Sequence, residues 1–542
     1  MMTTLARSGD EGMPAAGASA YPHVRWAIAF TLLGLGLSIW MGACSDGVYH
    51  DDDLTHLQIA RWAFEYPQYL LHDWGRPGFT VPYSVPAKLG WFVARVFSGL
   101  LTALTAWLAY RVAARMELKC AALAPLLVWI QPLTFTLSYT TLTETPLALY
   151  LILSIWLFQR RNFAWSAAII SLAVITRQEA GVLLGIWLIA LLRRRQPATV
   201  WGWLAWAPLL HNVLCLAFMP ETPMQRLLEP RPTDEYGNGG WLTMYARWAE
   251  AAGLGTLVLG VAGVSTLARR PGGRLVLAAA AAYFATHVVV YRFGLFASGG
   301  YARFLVPLGP LVALAATATV SRCADAGPDV AKRYLGAAII AVVLLWVAGE
   351  LEINALDNAL TADDLAAARL GARGGAAALC GLLAIGVLIA AWGRRTWRHR
   401  VAPAFAGLLI ALAVAQDIAA AFTPLPIPVC APLRLSPRHV VHRAAAEEVR
   451  GRGLPANQIV TTSPWFDEFL GLRRAPFGPD NHTRLTRLRP GGVLLWDARL
   501  CDTPGNELHS DRILQMPFLT ETWSMTGGPH YDRYRVAILE KR

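Results

Sequence analysis

Apolar residues in this chain come in long unbroken runs, not in the period-two alternation of a half-buried strand or the stripes of a surface helix. The first run begins at Arg25 and continues to Cys44, long enough to cross roughly 30 Å of hydrocarbon. It has no small-residue cleavage site and many further spans follow, so it reads as a signal anchor. Further runs lie near 88–110, 120–138, 142–158, 163–176, 178–192, 198–218, 252–268, 274–291, 302–320, 334–350, 370–392 and 401–422. The pattern predicts an all-α polytopic membrane protein of about 13 transmembrane helices. Residues 1–24, small and polar, read as a disordered cytoplasmic tail, and residues 25–424 as the transmembrane domain. After Pro424 the pattern changes. "RHVVHRAAAEEVRGRG" has the spacing of an amphipathic helix ended by glycine, and "NQIVTTSPW", "GGVLLWDARL" and "RYRVAILEKR" read as strands. Residues 425–542 are therefore expected to form a small extracytoplasmic α/β domain.

Charge gives the runs a direction. Alternate ends carry "YRVAARMELK", "QRRN", "RRRQ", "RRPGGR", "SRCADAGPDVAKR" and "GRRTWRHR", whereas the opposite ends carry "SDGVYHDDD", "SYTTLTETP", "MPETPMQ" and "ELEINALDNALTADD". Lysine and arginine thus collect on one side, which the positive-inside rule makes cytoplasmic. An odd number of spans then puts the first loop and the C-terminal domain together outside. Only 15% of the 542 residues are charged, against roughly 25% in a soluble protein, and 55% are hydrophobic. The net charge of +12 is spread through these short clusters, which argues against nucleic-acid binding. The seven cysteines show no metal-ligand spacing, and Cys430 with Cys501 is the one pair suited to a disulfide, two free thiols being the alternative.

The loop at 45–87 is too long for a simple connector and opens with "YHDDDLTHLQIARW". A single aspartate there is explained by capping the helix that follows. Three in succession, Asp51, Asp52 and Asp53, repel one another and raise one another's pKa, which points to a cation, a proton or a reacting group. His50, His56, His72, Asp73, Trp74 and Arg76 lie in the same loop. Trp74 and Tyr83 are suited either to anchoring at the lipid interface or, beside carboxylates and Arg76, to stacking on a sugar. The histidines and aspartates match no standard metal motif, so no metal site is assigned; a divalent cation is compatible with them.

"HDDDLTHLQIARW" resembles the acidic segment in the first extracytoplasmic loop of GT-C fold glycosyltransferases. "ITRQEAGVLL" resembles their R-x-E-(A/G) segment, and "GGYARFLVPLGPLVAL" their R-(F/Y)-L-x-P-x-x-P segment. The resemblance runs from Arg25 to the final domain. It implies a polyprenyl-phosphate-linked sugar donor, mannose or similar, and transfer with inversion to a lipid, glycan or protein acceptor. On this match His50 takes the histidine position, Asp52 that of the catalytic carboxylate, and Asp53 replaces the commoner glutamate. The extra Asp51 leaves the register open by one residue.

Such a reaction needs a carboxylate to accept the acceptor's proton and cations to hold the lipid phosphate. Asp52 is the expected base, with Asp51 or Asp53 assisting. Arg303 is the expected phosphate ligand, with Lys88 second; snorkelling at the interface is the alternative for Arg303. Glu144 is suited to orienting the acceptor or to capping a helix. Arg177 and Glu179 lie in a nearly continuous apolar stretch, where charges are paired structurally or serve a substrate. In the C-terminal domain, Trp465, Asp467, Trp496, Asp497, His530 and Tyr531 are suited to acceptor recognition or to the fold, and no site is assigned there. The rival expectation is a transporter or flippase using the aspartates for ion coupling. Against it stand the long acidic loop and the absence of an internal repeat. The Ala/Arg/Gly-rich composition suggests a bacterial inner membrane.

Overall fold

The computed structural model describes residues 23–228, 238–326, 328–356, 431–502, 506–528 and 534–542. The N-terminal tail up to residue 22, the expected spans near 370–392 and 401–422, Cys430, His530 and Tyr531 lie outside these residues.

The long apolar runs fold as helices. They are α1 (Val24–Cys44), α2 (Asp51–Trp62), α3 (Pro77–Leu89), α4 (Trp91–Arg115), α5 (Ala124–Trp129) and α6 (Pro132–Leu137). Then follow α7 (Glu144–Gln159), α8 (Phe163–Thr176), α9 (Gly181–Arg193), α10 (Ala198–Trp201), α11 (Trp206–Phe218) and α12 (Pro223–Leu228). The last described helices of the membrane domain are α13 (Thr243–Ala252), α14 (Leu254–Ala268), α15 (Gly273–Arg292), α16 (Gly309–Ala326) and α17 (Pro328–Leu356). Five helices among the described residues are long and apolar enough to cross a membrane, or up to seven if two bent pairs each count as one span.

Several runs differ from the expected straight spans. The run at 120–138 breaks at Gln131, because Pro132 cannot continue the hydrogen-bond ladder. Gln131 repairs the break by donating to the carbonyls of Leu127 and Gly309, each at 2.8 Å. α13 and α14 meet at 107° across Gly253, whose φ of 77° suits glycine. α14 packs against α16, where a Cβ on Gly263 would strike the carbonyl of Ala315; the small residue sets the close approach.

α2 is the exception to the spanning pattern. Its 12 residues extend about 18 Å, too short to cross, and it buries Leu54, Leu57, Ile59 and Trp62 against the membrane domain.

The C-terminal domain begins with α18 (Pro437–Gly451), capped by Ser436, whose hydroxyl accepts from the His439 amide at 3.3 Å. Next come β1 (Ile459–Thr461), α19 (Pro464–Leu470), β2 (Val493–Asp497), β3 (Leu519–Gly527) and β4 (Tyr534–Lys541). The sheet order is β1-β2-β4-β3, with β1 and β2 parallel and the other pairs antiparallel. α18 packs through Val441, Ala445 and Val449 on one face of the sheet, and Val460, Leu494 and Trp496 fill the other. The three expected strands are β1, β2 and β4. β3 carries the polar edge "LTETWSMTG", which lacks a buried alternation and so escaped the pattern. Cys501 is buried in this domain.

The domain is seated on α2 and the end of α1. The Leu433 carbonyl accepts from the amides of Asp46 at 3.1 Å and Gly47 at 3.2 Å. A Cβ on Gly47 would strike the Arg434 backbone, so the close contact depends on glycine there. Trp465, fully buried, inserts from α19 into a cluster made by Leu54, Leu57, Phe79 and Tyr83 of the membrane domain.

Candidate active site

The three aspartates occupy the first turn of α2, where free amides and the helix dipole favour negative charge. His50 caps the turn, its Nδ1 accepting from the Asp52 amide at 3.3 Å. Successive helical residues point about 100° apart, so the three carboxylates enter three environments.

Asp51 faces the C-terminal domain. Its Oδ2 accepts from Arg438 Nη2 at 2.5 Å, and its Oδ1 accepts from Trp465 Nε1 at 2.9 Å, with His439 Nε2 at 3.1 Å. Asp53 faces inward and is fully buried. Its Oδ1 accepts from the Thr141 amide at 2.6 Å and from the Thr141 hydroxyl, while Oδ2 has no partner. Asp52 faces a cluster of buried charges: its Oδ2 accepts from Arg303 Nη2 at 2.5 Å.

The expected mutual repulsion does not govern Asp51 and Asp52. Burial pushes both carboxyls up, but their partners outweigh it. His439 and Arg438 hold Asp51, and Arg303 with His50 hold Asp52, below the usual carboxylate range. At Asp53 burial prevails over Arg95 and Thr141, and the carboxyl is raised.

Around Asp52 the cluster continues through backbone breaks. Arg303 lies in the 3-10 turn Ala302–Leu308 that leads into α16. Its Nε is 3.8 Å from Glu144 Oε1 at the start of α7. Arg177, at the break between α8 and α9, donates from Nη1 to the same Glu144 oxygen at 2.6 Å and from Nη2 to Glu179 at 3.2 Å. Arg76 reaches Thr143 Oγ1 at 3.4 Å from a positive φ of 60°, a costly conformation for a residue with a side chain. Phe304 lies beneath two guanidiniums, its ring 4.1 Å from Arg177 and 5.3 Å from Arg303. Tyr301 covers Arg303 at 5.1 Å and meets the His50 ring at 5.1 Å.

Thus His50, Asp52, Arg76, Glu144, Arg177, Glu179 and Arg303, widely spaced in sequence, form one connected cluster. Trp74 stands at its edge, 45% exposed and stacked on the buried His56 ring at 6.0 Å. Burial and then Arg76 lower the His56 pKa to about 3, so this imidazole is neutral at ordinary pH. Lys88 is exposed, over the Phe64 ring at 5.7 Å, and makes no described contact with the cluster. Tyr83 is a core residue, not an interfacial anchor, its hydroxyl 2.8 Å from Ser98 Oγ. The loop histidines do not converge: His72 accepts from the Trp74 amide at 3.2 Å, away from His56. Among the described residues, ligand atoms suited to a metal converge only at Asp480, His482 and Glu507, on the surface of the C-terminal domain.

Some site residues escaped the sequence. Arg438 and His439 contact Asp51 from the C-terminal domain, to which no site was assigned, and Trp465, named above only for acceptor recognition or the fold, meets the same carboxylate. On α15 the His287 ring stacks on Phe304 at 5.6 Å and meets the Tyr283 ring at 4.7 Å, and the Tyr283 hydroxyl and both His287 nitrogens lack hydrogen-bond partners. A histidine inside the apolar stretch "AAYFATHVVVYRF" was the available signal. Arg247 and Glu250 pair at 3.1 Å on α13, a helix between the expected runs at 198–218 and 252–268.

Residues 50–187 match the profile of the dolichyl-phosphate-mannose-protein mannosyltransferase family. That segment contains every sequence-predicted candidate of the membrane domain except Arg303. The fold matches the crystal structure of ArnT from Cupriavidus metallidurans bound to undecaprenyl phosphate, with a TM-score of 0.54 and 15% identity, over 96% of this chain and 98% of that one. The chain has the fold of ArnT. The apo state of the same ArnT matches this chain with a TM-score of 0.55 and 14% identity, over 95% and 98% of the two chains. No curated protein matches its sequence.

Proposed function

We propose that this protein is a glycosyltransferase that moves a sugar from a polyprenyl-phosphate donor to an acceptor hydroxyl, with inversion and with Asp52 as general base. The observation that carries this reading is the Asp52–Arg303 pair, a carboxylate and a guanidinium 2.5 Å apart, with further buried cations behind them. The bound lipid phosphate of the ArnT structure and the mannosyltransferase profile support the donor class.

The donor's phosphate competes with Asp52 for Arg303, whose planar fork suits phosphate oxygens. Drawing Arg303 away raises the affinity of Asp52 for a proton, which a carboxylate held tightly by an arginine lacks. Asp52 then accepts the proton of the acceptor hydroxyl as its oxygen attacks the anomeric carbon from the side opposite the phosphate. The carbon–oxygen bond to phosphate breaks, and the electron pair leaves with the polyprenyl phosphate. Glu144, itself held by Arg177, faces Arg303 at 3.8 Å, and Trp74 offers a sugar-stacking face at the edge. Tyr283 and His287 supply unpaired polar atoms for sugar hydroxyls.

Arginine-rich ends on one side and acidic loops on the other support an extracytoplasmic site and a cytoplasmic N-terminus, and the Ala/Arg/Gly-rich composition supports a bacterial inner membrane. Membranes containing the protein, given radiolabelled polyprenyl-phosphate sugars, are expected to release label from the lipid into an acceptor. Proton-coupled uptake into proteoliposomes with no transfer from any donor would replace this reading with a transporter.

A further inference from the structure

We propose that Arg438, His439 and Trp465 form a positioning clamp through which the C-terminal domain orients α2 and aims Asp52 at Arg303. The proposal rests on the reading of Asp52 as the base.

Asp51 receives Arg438, His439 and Trp465 on its two oxygens, which leaves it little capacity to meet a substrate. Because neighbouring helical residues are separated by a fixed rotation, fixing Asp51 fixes the direction of Asp52. The same face of α2 is held twice more. Gln58 Nε2 donates to the Pro464 carbonyl at 2.8 Å, and Arg61 Nη1 lies 2.9 Å from Glu468 Oε2. Asp51, Gln58 and Arg61 thus form one line of attachment along the helix, and Asp52 points away from it.

The clamp itself is rigid. Arg438 is 3% exposed in its side chain and lies between Asp51 and Asp497, with Nη1 4.0 Å from the latter. His442 Nε2 is 2.8 Å from Asp497 Oδ2 and its Nδ1 is 2.7 Å from the Arg438 carbonyl, so the clamp is tied into the core of the domain. The His439 ring stacks on Trp465 with centroids 4.1 Å apart. The domain has other attachments, among them the Leu433 hydrogen bonds and the Tyr69 hydroxyl donating to the Arg474 carbonyl at 2.9 Å. Weakening the clamp therefore loosens the first turn of α2 without detaching the domain.

The test uses the full chain in nanodiscs, with Asp51→Asn, Arg438→Met, Trp465→Phe and the double variant Asp51→Asn/Arg438→Met. A misaimed base is expected to lower kcat by roughly tenfold to a hundredfold, with the donor KM nearly unchanged. The double variant is expected to be no worse than the more impaired single one, since both act through one contact. Hydrogen exchange provides a readout independent of activity: amides of residues 51–62 are expected to exchange faster in Asp51→Asn, which leaves α18 and its core intact. Wild-type exchange in α2, an unchanged kcat, or a raised acceptor KM at constant kcat would each overturn the clamp. A wild-type protein that transfers no sugar would sink the catalytic reading instead, and exchange would then decide the clamp by itself.

Discussion

Asp52→Asn separates the roles of the three aspartates, because asparagine keeps the size and one acceptor oxygen while losing the charge and the basicity. A positioned general base contributes about 10²–10⁴-fold, so turnover should fall by that factor, about 3–5 kcal/mol in barrier height. The fold should survive. Removing one member of a buried ion pair costs about 3–5 kcal/mol, but Asp52 is 23% exposed in its side chain and Arg303 keeps Glu144 at 3.8 Å, so a smaller loss is expected here. Asp53→Asn keeps an acceptor for Thr141 and replaces a carboxyl already pushed toward neutrality by burial, so it should change turnover far less. The assay is single-turnover transfer of labelled sugar from a polyprenyl-phosphate donor, on variants matched by thermal unfolding. If Asp52→Asn kept more than about a tenth of wild-type turnover while Asp53→Asn abolished it, the base would be misassigned, since the loss of a general base cannot be that mild.

Arg303→Lys keeps the charge but loses the planar fork, and donor KM should rise by about tenfold to a hundredfold, the equivalent of about 1.5–3 kcal/mol for a charged hydrogen bond; an unchanged KM would remove Arg303 from the phosphate site. Glu144→Gln uncouples a pair whose side chains are 1% and 3% exposed and should lower stability by about 3–5 kcal/mol in thermal unfolding, with Arg177→Met added at less than the sum. Lys88→Ala should leave transfer kinetics within about a factor of two, as expected of an exposed residue outside the cluster. The pH profile carries a sign. A depressed Asp52 pKa places no acid limb from this group in kcat/KM above about pH 4, whereas kcat, read with the phosphate drawing on Arg303, should show its acid limb at higher pH. Coincident limbs in the two profiles would refute the exchange of partners.

The architecture was legible because lipid imposes long apolar runs, and the runs through 334–350 fall on helices. Helix breaks were less legible. The break at Gln131 depends on a proline, but its repair depends on Gly309, far along the chain. The strongest single signal in the site was Arg177 with Glu179, charges in an apolar stretch, and they occupy a helix break where non-helical backbone is shielded by protein. The aspartate triplet was misread in one respect. Adjacency in sequence suggested mutual repulsion, whereas helical rotation turns each carboxylate toward a different partner. The partners of Asp51 were illegible for a plain reason: Arg438 lies 387 residues away, and periodicity within a segment carries nothing about such a contact. β3 escaped because its outward polar face hides the alternation.

The charges around Asp52 suggest why three arginines and three carboxylates belong together. Arg76, Arg177 and Arg303 are balanced by Asp52, Glu144 and Glu179, and Arg247 on α13 is balanced by Glu250. A balanced cluster is what a buried site tolerates, because an unpaired charge away from water is costly. During transfer the donor's phosphodiester, with one negative charge, becomes a phosphate monoester that carries a second. If Asp52 takes the acceptor's proton in the same step, the protein side loses one negative charge as the leaving group gains one. The total within the site then stays constant, and Arg303, already drawn toward the phosphate, stays with the leaving group while Asp52 is neutralised. On this account the ion pair and the general base are a single device: the contact that holds Asp52 charged at rest is the one the leaving group inherits.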